Sequence, residues 1–227
     1  MIYDISQTLR ASLPVWPGDG SFESGVTAEV AAGSSVTLHR FAMSSQSGTH
    51  AESARHVRDD SASLDELELG VFWGLCTVVD VSAGVGPVLA SEVLPKLSAF
   101  ASVSASLERV LLRTFAKPNW STWPADFRPI ASGLIDEIAA RGGRLIGTDA
   151  PSIDPASSKT LEAHHAAHRA RMAILEGLVL DQIPEGVYEL VALPLPIKAV
   201  EATPVRAVLR TLDESQRHGS IFDAREL

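Results

Sequence analysis

Five of the seven histidines lie in two short runs, Gln46-Ser47-Gly48-Thr49-His50-Ala51-Glu52-Ser53-Ala54-Arg55-His56 and Glu162-Ala163-His164-His165-Ala166-Ala167-His168, and Glu176 follows the second. Imidazoles and carboxylates gathered in this way are the donors a catalytic divalent ion takes, and such an ion makes a nucleophile of water at neutral pH. In an extended backbone, alternate side chains share a face, so Gln46, Gly48, His50 and Glu52 would stand together. Gly48 lets another backbone approach closely, Thr49 offers a supporting hydroxyl, and His56 could reach back after a turn. For each histidine taken alone, a hydrogen-bonded surface or core residue is the simpler reading; three titratable groups within seven positions favour a metal site.

The second run allows two ligand sets. His164 and His168 are one helical turn apart, which permits a two-histidine face. The other set is His164 or His165 with Glu176, which sits inside the apolar run Met172-Ala173-Ile174-Leu175-Glu176-Gly177-Leu178-Val179-Leu180. A carboxylate there is costly unless it is paired, protonated or bound to a metal. An outward-pointing residue at a strand edge, or a partner for an arginine, is the alternative use of Glu176. Gly177 again permits close backbone approach.

Elements able to hold these groups read as mixed α/β, a compact single domain over 1–227 with a β-rich core and flanking helices. Apolar stretches from Val36 to Met43, Cys76 to Val81, Val110 to Arg113, Leu145 to Thr148, Tyr188 to Leu193 and Val205 to Leu212 predict strands, several of them buried on both faces. A helix is expected from Ala131 to Arg141, with Gly142-Gly143 as its left-handed stop, leading into the strand at Leu145. A second, from Ser158 to Ala173, would carry the second histidine run. Cys76, in an apolar strand, reads as an inert small hydrophobe. Asp80, Arg113 and Asp149 read as groups that satisfy buried backbone, and the acidic stretch from Asp59 to Glu68 as a solvated loop or helix start.

Composition narrows the ligand. The chain of 227 residues is 45% hydrophobic and 21% charged, with no apolar run long enough to span a bilayer. A net charge of -9 and a pI near 5.2 argue against nucleic acid and anionic membrane as partners and leave small molecules. The start, Met1-Ile2-Tyr3-Asp4-Ile5-Ser6, lacks a secretory pattern, and a single cysteine excludes an internal disulfide, so a cytoplasmic protein is expected.

Placed in order, these residues resemble the cyclase family of metal-dependent hydrolases, and within it the bacterial kynurenine formamidases. The family's main motif, His-x-Gly-Thr-His-x-Asp-x-Pro-x-His, corresponds to Gln46 through His56. Trp16-Pro17-Gly18-Asp19, Val79-Asp80-Val81-Ser82, Leu145 through Pro155, Ala163-His164-His165, Ile174-Leu175-Glu176-Gly177-Leu178 and Pro204-Val205-Arg206-Ala207 also look like formamidase segments. The resemblance implies a homodimer or larger assembly and a centre of one or two divalent ions, usually zinc, with manganese an alternative. It implies Gln46, His50, Glu52, His164 and Glu176 as metal ligands, His56 as the general acid/base, and Trp16 as an aromatic that packs on the substrate. The reaction implied is hydrolysis of a formamide on an aromatic amine such as N-formylkynurenine.

Two departures fall at ligand positions, Gln46 for the first histidine and Glu52 for the aspartate. A neutral amide oxygen binds zinc less tightly than imidazole, and the extra methylene of Glu52 lengthens the bridging arm. Ala54 replaces the motif's proline, which loosens the turn before His56, and Arg55 would make that histidine's surroundings more positive. The pattern is also compatible with a paralogue that opens or closes a ring amide, lactone or oxazoline in secondary metabolism, and with a homologue that binds without catalysis.

Overall fold

A computed structural model describes residues 1–100 and 107–212. Eleven strands are present among them: β1 (Ile2–Asp4), β2 (Glu23–Ala28), β3 (Leu38–Ala42), β4 (His50–Glu52), β5 (Trp73–Asp80), β6 (Arg109–Arg113), β7 (Leu145–Thr148), β8 (Ala173–Glu176), β9 (Gly186–Val191), β10 (Ala202–Pro204) and β11 (Val208–Thr211). Nine of them form one mixed sheet in the order β1-β11-β9-β5-β6-β7-β8-β4-β10, and β2 and β3 pair as a separate hairpin. At the centre, β5, β6, β7 and β8 run parallel. Parallel neighbours need crossovers, supplied by α1 (Ala90–Ala99), α2 (Ser132–Ala139) and α3 (Glu162–Arg169).

The three helices lie on one face, where Val93, Leu97, Leu134, Ile135, Ile138 and Ala166 pack on Val79, Val110, Leu112, Ile146 and Ile174 of the strands. On the opposite face, Phe72, Cys76, Val78, Leu111, Leu175, Leu190 and Leu209 form a second core. Successive residues of a strand therefore enter different cores, which is why Val110-Leu111-Leu112 and Ala173-Ile174-Leu175 are continuously apolar rather than alternating. The six expected strands are all present, with ends displaced by a few residues.

The second helix is shorter than expected. Ser158 to Leu161 form a turn in which the Ser158 hydroxyl accepts from Leu161 N, and Leu161 itself is left-handed at φ 46°. After α3, Arg171 at φ 55° reverses the chain so that Ala173 begins β8 instead of ending the helix. The first helix matches its expected range closely, and Gly142 at φ 89° ends its last turn. No described helix is long and apolar enough to cross a membrane.

Candidate metal centre

Strand pairing sets the first contact. β4 lies antiparallel to β8 with His50 directly opposite Glu176, and the His50 Nε2 to Glu176 Oε2 distance is 3.4 Å. Glu52 stands two residues on, so the pleat returns it to the same side as His50. The alternation predicted from Gln46 to Glu52 holds only for this last pair, because β3 ends at Ala42 and Gly48, at φ 68°, breaks the extended run. From the helical face, His164 brings Nε2 to 2.9 Å from Glu52 Oε1 and 3.6 Å from Glu176 Oε1. His56 closes the group from the single-turn helix Ala54–His56, capped by the Ser53 hydroxyl, with Nδ1 3.8 Å from Glu52 Oε2. Its ring centroid is 5.3 Å from that of His164. Gln46 reaches the same place, its amide nitrogen 3.0 Å from His56 Nδ1.

Both buried histidines are oriented from behind. His50 Nδ1 lies 3.0 Å from the Gly48 carbonyl, which can only accept, so Nδ1 carries a proton and Nε2 is the ring atom that faces the cluster. His164 Nδ1 is 2.6 Å from Asp154 Oδ2, and the same carboxylate accepts from the backbone N–H groups of Ala163 and His164 at the start of α3. Asp154 lies within the family-like segment Leu145 through Pro155, and its signal in the sequence is a carboxylate a few residues before the helix of a candidate ligand. His50, Glu52, His164 and Glu176 are all buried. His50 Nε2 and both oxygens of Glu52 nevertheless have no hydrogen-bond partner, and the 2.9 Å approach of His164 to Glu52 lacks hydrogen-bond alignment.

Electrostatics explains what such a cluster requires. Burial by itself would raise the Glu52 carboxyl, but His164, His56 and His50 around it hold it down to about 2. Burial opposes charge on His164, yet Glu52, Asp154 and Glu176 outweigh it and push that ring up to about 11. His50 is raised in the same way, burial being overcome by Glu176 and Glu52. Three buried carboxylates therefore demand positive charge between them, from protons on the imidazoles or from a cation that replaces those protons. Two overlapping groupings, His50–Glu52–Glu176 and Glu52–His56–His164, each bring their donor atoms within 4.8 Å of one another and share Glu52. Mixed nitrogen and carboxylate donors, with orphaned atoms converging, fit a divalent ion.

His50, His56, His164 and Glu176 form the floor of a cavity of about 330 Å³, whose other walls include Trp16, Trp120, Trp123, Pro14, Pro151 and Leu161; Glu52 is buried and does not line it. Trp16 and Trp123 meet edge to face at 5.2 Å. A volume of this order takes a small aromatic molecule. Trp120 and Trp123 were missed in the sequence, although two indoles in the proline-bounded polar stretch Pro118 to Pro124 have no evident core to serve. Neither His165 nor His168 belongs to the described carboxylate–imidazole groupings, so the two-histidine helical face does not form. Arg55 points its guanidinium at the Ser61 carbonyl and does not line the cavity. Asp149 accepts from Thr114 N, Thr114 Oγ1 and Phe115 N, the backbone-satisfying use expected of it. Burial pushes the Cys76 thiol up to about 12, which leaves it inert.

The sequence model of the Cyclase family matches residues 3–155. A kynurenine formamidase from Maricaulis maris (strain MCS10) is 44% identical over 211 residues, 93% of this chain and 98% of that protein. Another, from Erythrobacter litoralis (strain HTCC2594), is 43% identical over 214 residues, 94% of this chain and 95% of its own length. The fold is shared with isatin hydrolase A from Ralstonia solanacearum, at TM-score 0.79 and 20% identity, over 92% of this chain and 91% of that one.

Proposed function

The chain belongs to the cyclase family, and from that premise we propose that it is a divalent-metal-dependent amidohydrolase that removes the formyl group from a small aromatic amine of the N-formylkynurenine type. The observation that carries this reading is the buried Glu52 carboxylate, neither of whose oxygens has a hydrogen-bond partner, set against His50 and His164 where those two rings and Glu176 line an indole-walled cavity. His50, Glu52, His164 and Glu176 would hold the ion, with zinc favoured by the imidazole donors and manganese by the carboxylates. A divalent ion in this position supplies Lewis acidity and lowers the pKa of water.

The chain's own groups account for the rest of the reaction. Trp16, with Trp123 packed on it, offers an aromatic wall for the ring of the substrate, which sets the formyl carbon over the cluster. Hydrolysis adds water across the formyl carbon, the carbon–nitrogen bond breaks, and formate and a free aniline leave. The departing nitrogen needs a proton. His56 is the half-exposed imidazole at the cavity edge, and we assign it that donation. Asp154 keeps His164 in one tautomer throughout.

Metal-supplemented protein incubated with N-formylkynurenine is expected to release the aniline chromophore at a rate that chelation abolishes and added zinc or manganese restores. Absence of turnover with metal bound would overturn the formamide assignment and turn attention to ring amides and lactones.

The β2–β3 hairpin supports a homodimer as part of the same reading. All five residues of β3 are exposed, Phe41 by 65%, Val26 of β2 by 53%, and Phe22 stacks on Phe41 at 6.0 Å. A two-stranded hairpin rarely stands alone in water, and an exposed apolar face of this kind marks an interface. A second copy of the chain would cover it through an isologous contact. Phe41→Asp is expected to shift the sedimenting species from dimer to monomer; a wild-type chain that sediments as a monomer at tens of micromolar, about the range where obligate dimers persist, excludes this assembly.

A further inference from the structure

Resting on the reading of His56 as proton donor, we propose that Gln46 is a positioning residue for His56 and not a metal ligand: its carboxamide engages Nδ1 of the imidazole and so directs the ring's proton to Nε2. The sequence reading, which follows the family motif, places Gln46 among the ligands. The geometry points elsewhere. Gln46 follows Ser45 in a turn where its backbone N–H donates to the Ser44 hydroxyl at 3.2 Å, and its amide nitrogen ends 3.0 Å from His56 Nδ1. Among the described residues this amide is the hydrogen-bond partner of the His56 ring; Glu52 Oε2, at 3.8 Å, is beyond hydrogen-bond reach.

The chemical consequence follows from counting protons. A neutral imidazole carries one N–H, and a donor at Nδ1 forces that proton onto Nε2. A carboxylate at the same position would do the opposite, holding the proton on Nδ1 and leaving Nε2 as a base. A carboxylate serves the doubly protonated ring as well; the amide does so by turning over and presenting its oxygen to Nδ1–H, and it keeps that contact after Nε2 has given its proton to the leaving nitrogen. By occupying Nδ1, Gln46 also keeps His56 from donating to Glu52, neither of whose oxygens has a hydrogen-bond partner. Neither grouping of convergent donors, His50–Glu52–Glu176 or Glu52–His56–His164, draws on Gln46.

Gln46→Met, which keeps the length and removes the amide, separates this role from ligation. The zinc-loaded variant is expected to keep the wild-type metal content per chain by elemental analysis. Its kcat on N-formylaniline, whose leaving group must be protonated, is expected to fall about 100-fold with KM changed by no more than about threefold. On p-nitrophenyl formate, whose phenolate departs without a proton, the fall is expected to stay within about threefold. Nitrogen-15 spectra of the imidazoles are expected to show neutral His56 as the Nε2–H tautomer in the wild type, shifted towards Nδ1–H in Gln46→Met and further in Gln46→Glu. Loss of metal in Gln46→Met, an equal rate loss on both substrates, or an unchanged tautomer overturns the assignment. If the wild-type protein hydrolyses neither compound, the formamidase reading fails, while the tautomer and metal content still decide what Gln46 does.

Discussion

Glu176→Gln is expected to leave the purified protein with less than about a tenth of its divalent metal and to lower hydrolysis by at least about 1000-fold, because the substitution turns a proposed ligand oxygen into an N–H donor aimed at the cation. The direction in which the amide settles is fixed by the backbone. Glu176 Oε1 accepts from Ile153 N at 2.7 Å, and an amide nitrogen cannot take that place without setting two donors against each other. The glutamine oxygen therefore keeps the Ile153 bond, and the NH2 group occupies the position of Oε2, 3.4 Å from His50 Nε2. One negative charge leaves the cluster at the same time. The metal-free variant should fold, since His50 can release the proton that Glu176 favours once that carboxylate is gone. His168→Ala is the control: His168 lies outside the described groupings, and metal content and rate should both be retained. Full metal occupancy in Glu176→Gln, or its loss in His168→Ala, would show that the ligand set has been drawn from the wrong residues.

That contrast between Glu176 and His168 also marks how far the sequence could be read. A carboxylate in the middle of Met172 to Leu180 announces a partner by its cost, and the buried parallel strands announce themselves because both of their faces are covered. Spacing along a helix, by comparison, shows only which residues share a face and not what that face meets, so spacing alone leaves His164 and His168 equivalent; the resemblance points to His164, and Asp154 and Glu52 stand on either side of it. The ends of α3 were hidden for a related reason: they are set by left-handed Leu161 and Arg171, residues whose types do not signal a positive φ. α1, which carries Pro95 within its ten residues, is not among the helices expected from the sequence. The three-residue strands β1, β4 and β10 are too short to show a period, yet β4 holds two of the four proposed ligands. Its register against β8 comes from long-range pairing, which no local pattern encodes. Gln46 is the most instructive case. Motif position made it a ligand in the sequence reading, whereas the turn at Ser45 and left-handed Gly48 deliver its amide to His56.

Gly177→Ala is expected to have the largest effect on stability, about 2–5 kcal/mol, a substantial part of the total for a domain of this size. Two separate penalties combine at this position. Gly177 is at φ 64°, where a side chain is strained, and a Cβ there would lie 2.4 Å from the Gly48 carbonyl oxygen and 2.9 Å from Gln7 Nε2. The oxygen belongs to backbone, so the contact cannot be relieved by turning a side chain. The same junction is tied by Thr49 Oγ1 donating to the Gly177 carbonyl at 2.6 Å, by Gln7 Nε2 donating to it at 2.9 Å, and by Gly177 N donating to Ala150 O at 2.9 Å. Moving Gly48 away also moves the carbonyl that orients His50 Nδ1, so the injury passes directly from backbone to ligand. Gly142→Ala offers the comparison that isolates this path: Gly142 is at φ 89° with no atom within 4 Å of the added carbon, so it carries the backbone penalty alone, about 1 kcal/mol, and lies away from the metal cluster. In urea denaturation of metal-free protein, Gly177→Ala should unfold at a clearly lower midpoint than Gly142→Ala, and after refolding with zinc only Gly177→Ala should bind the ion more weakly. Equal losses in both variants, with zinc affinity untouched, would mean that the close approach of Gly177 to Gly48 does not hold His50 in place.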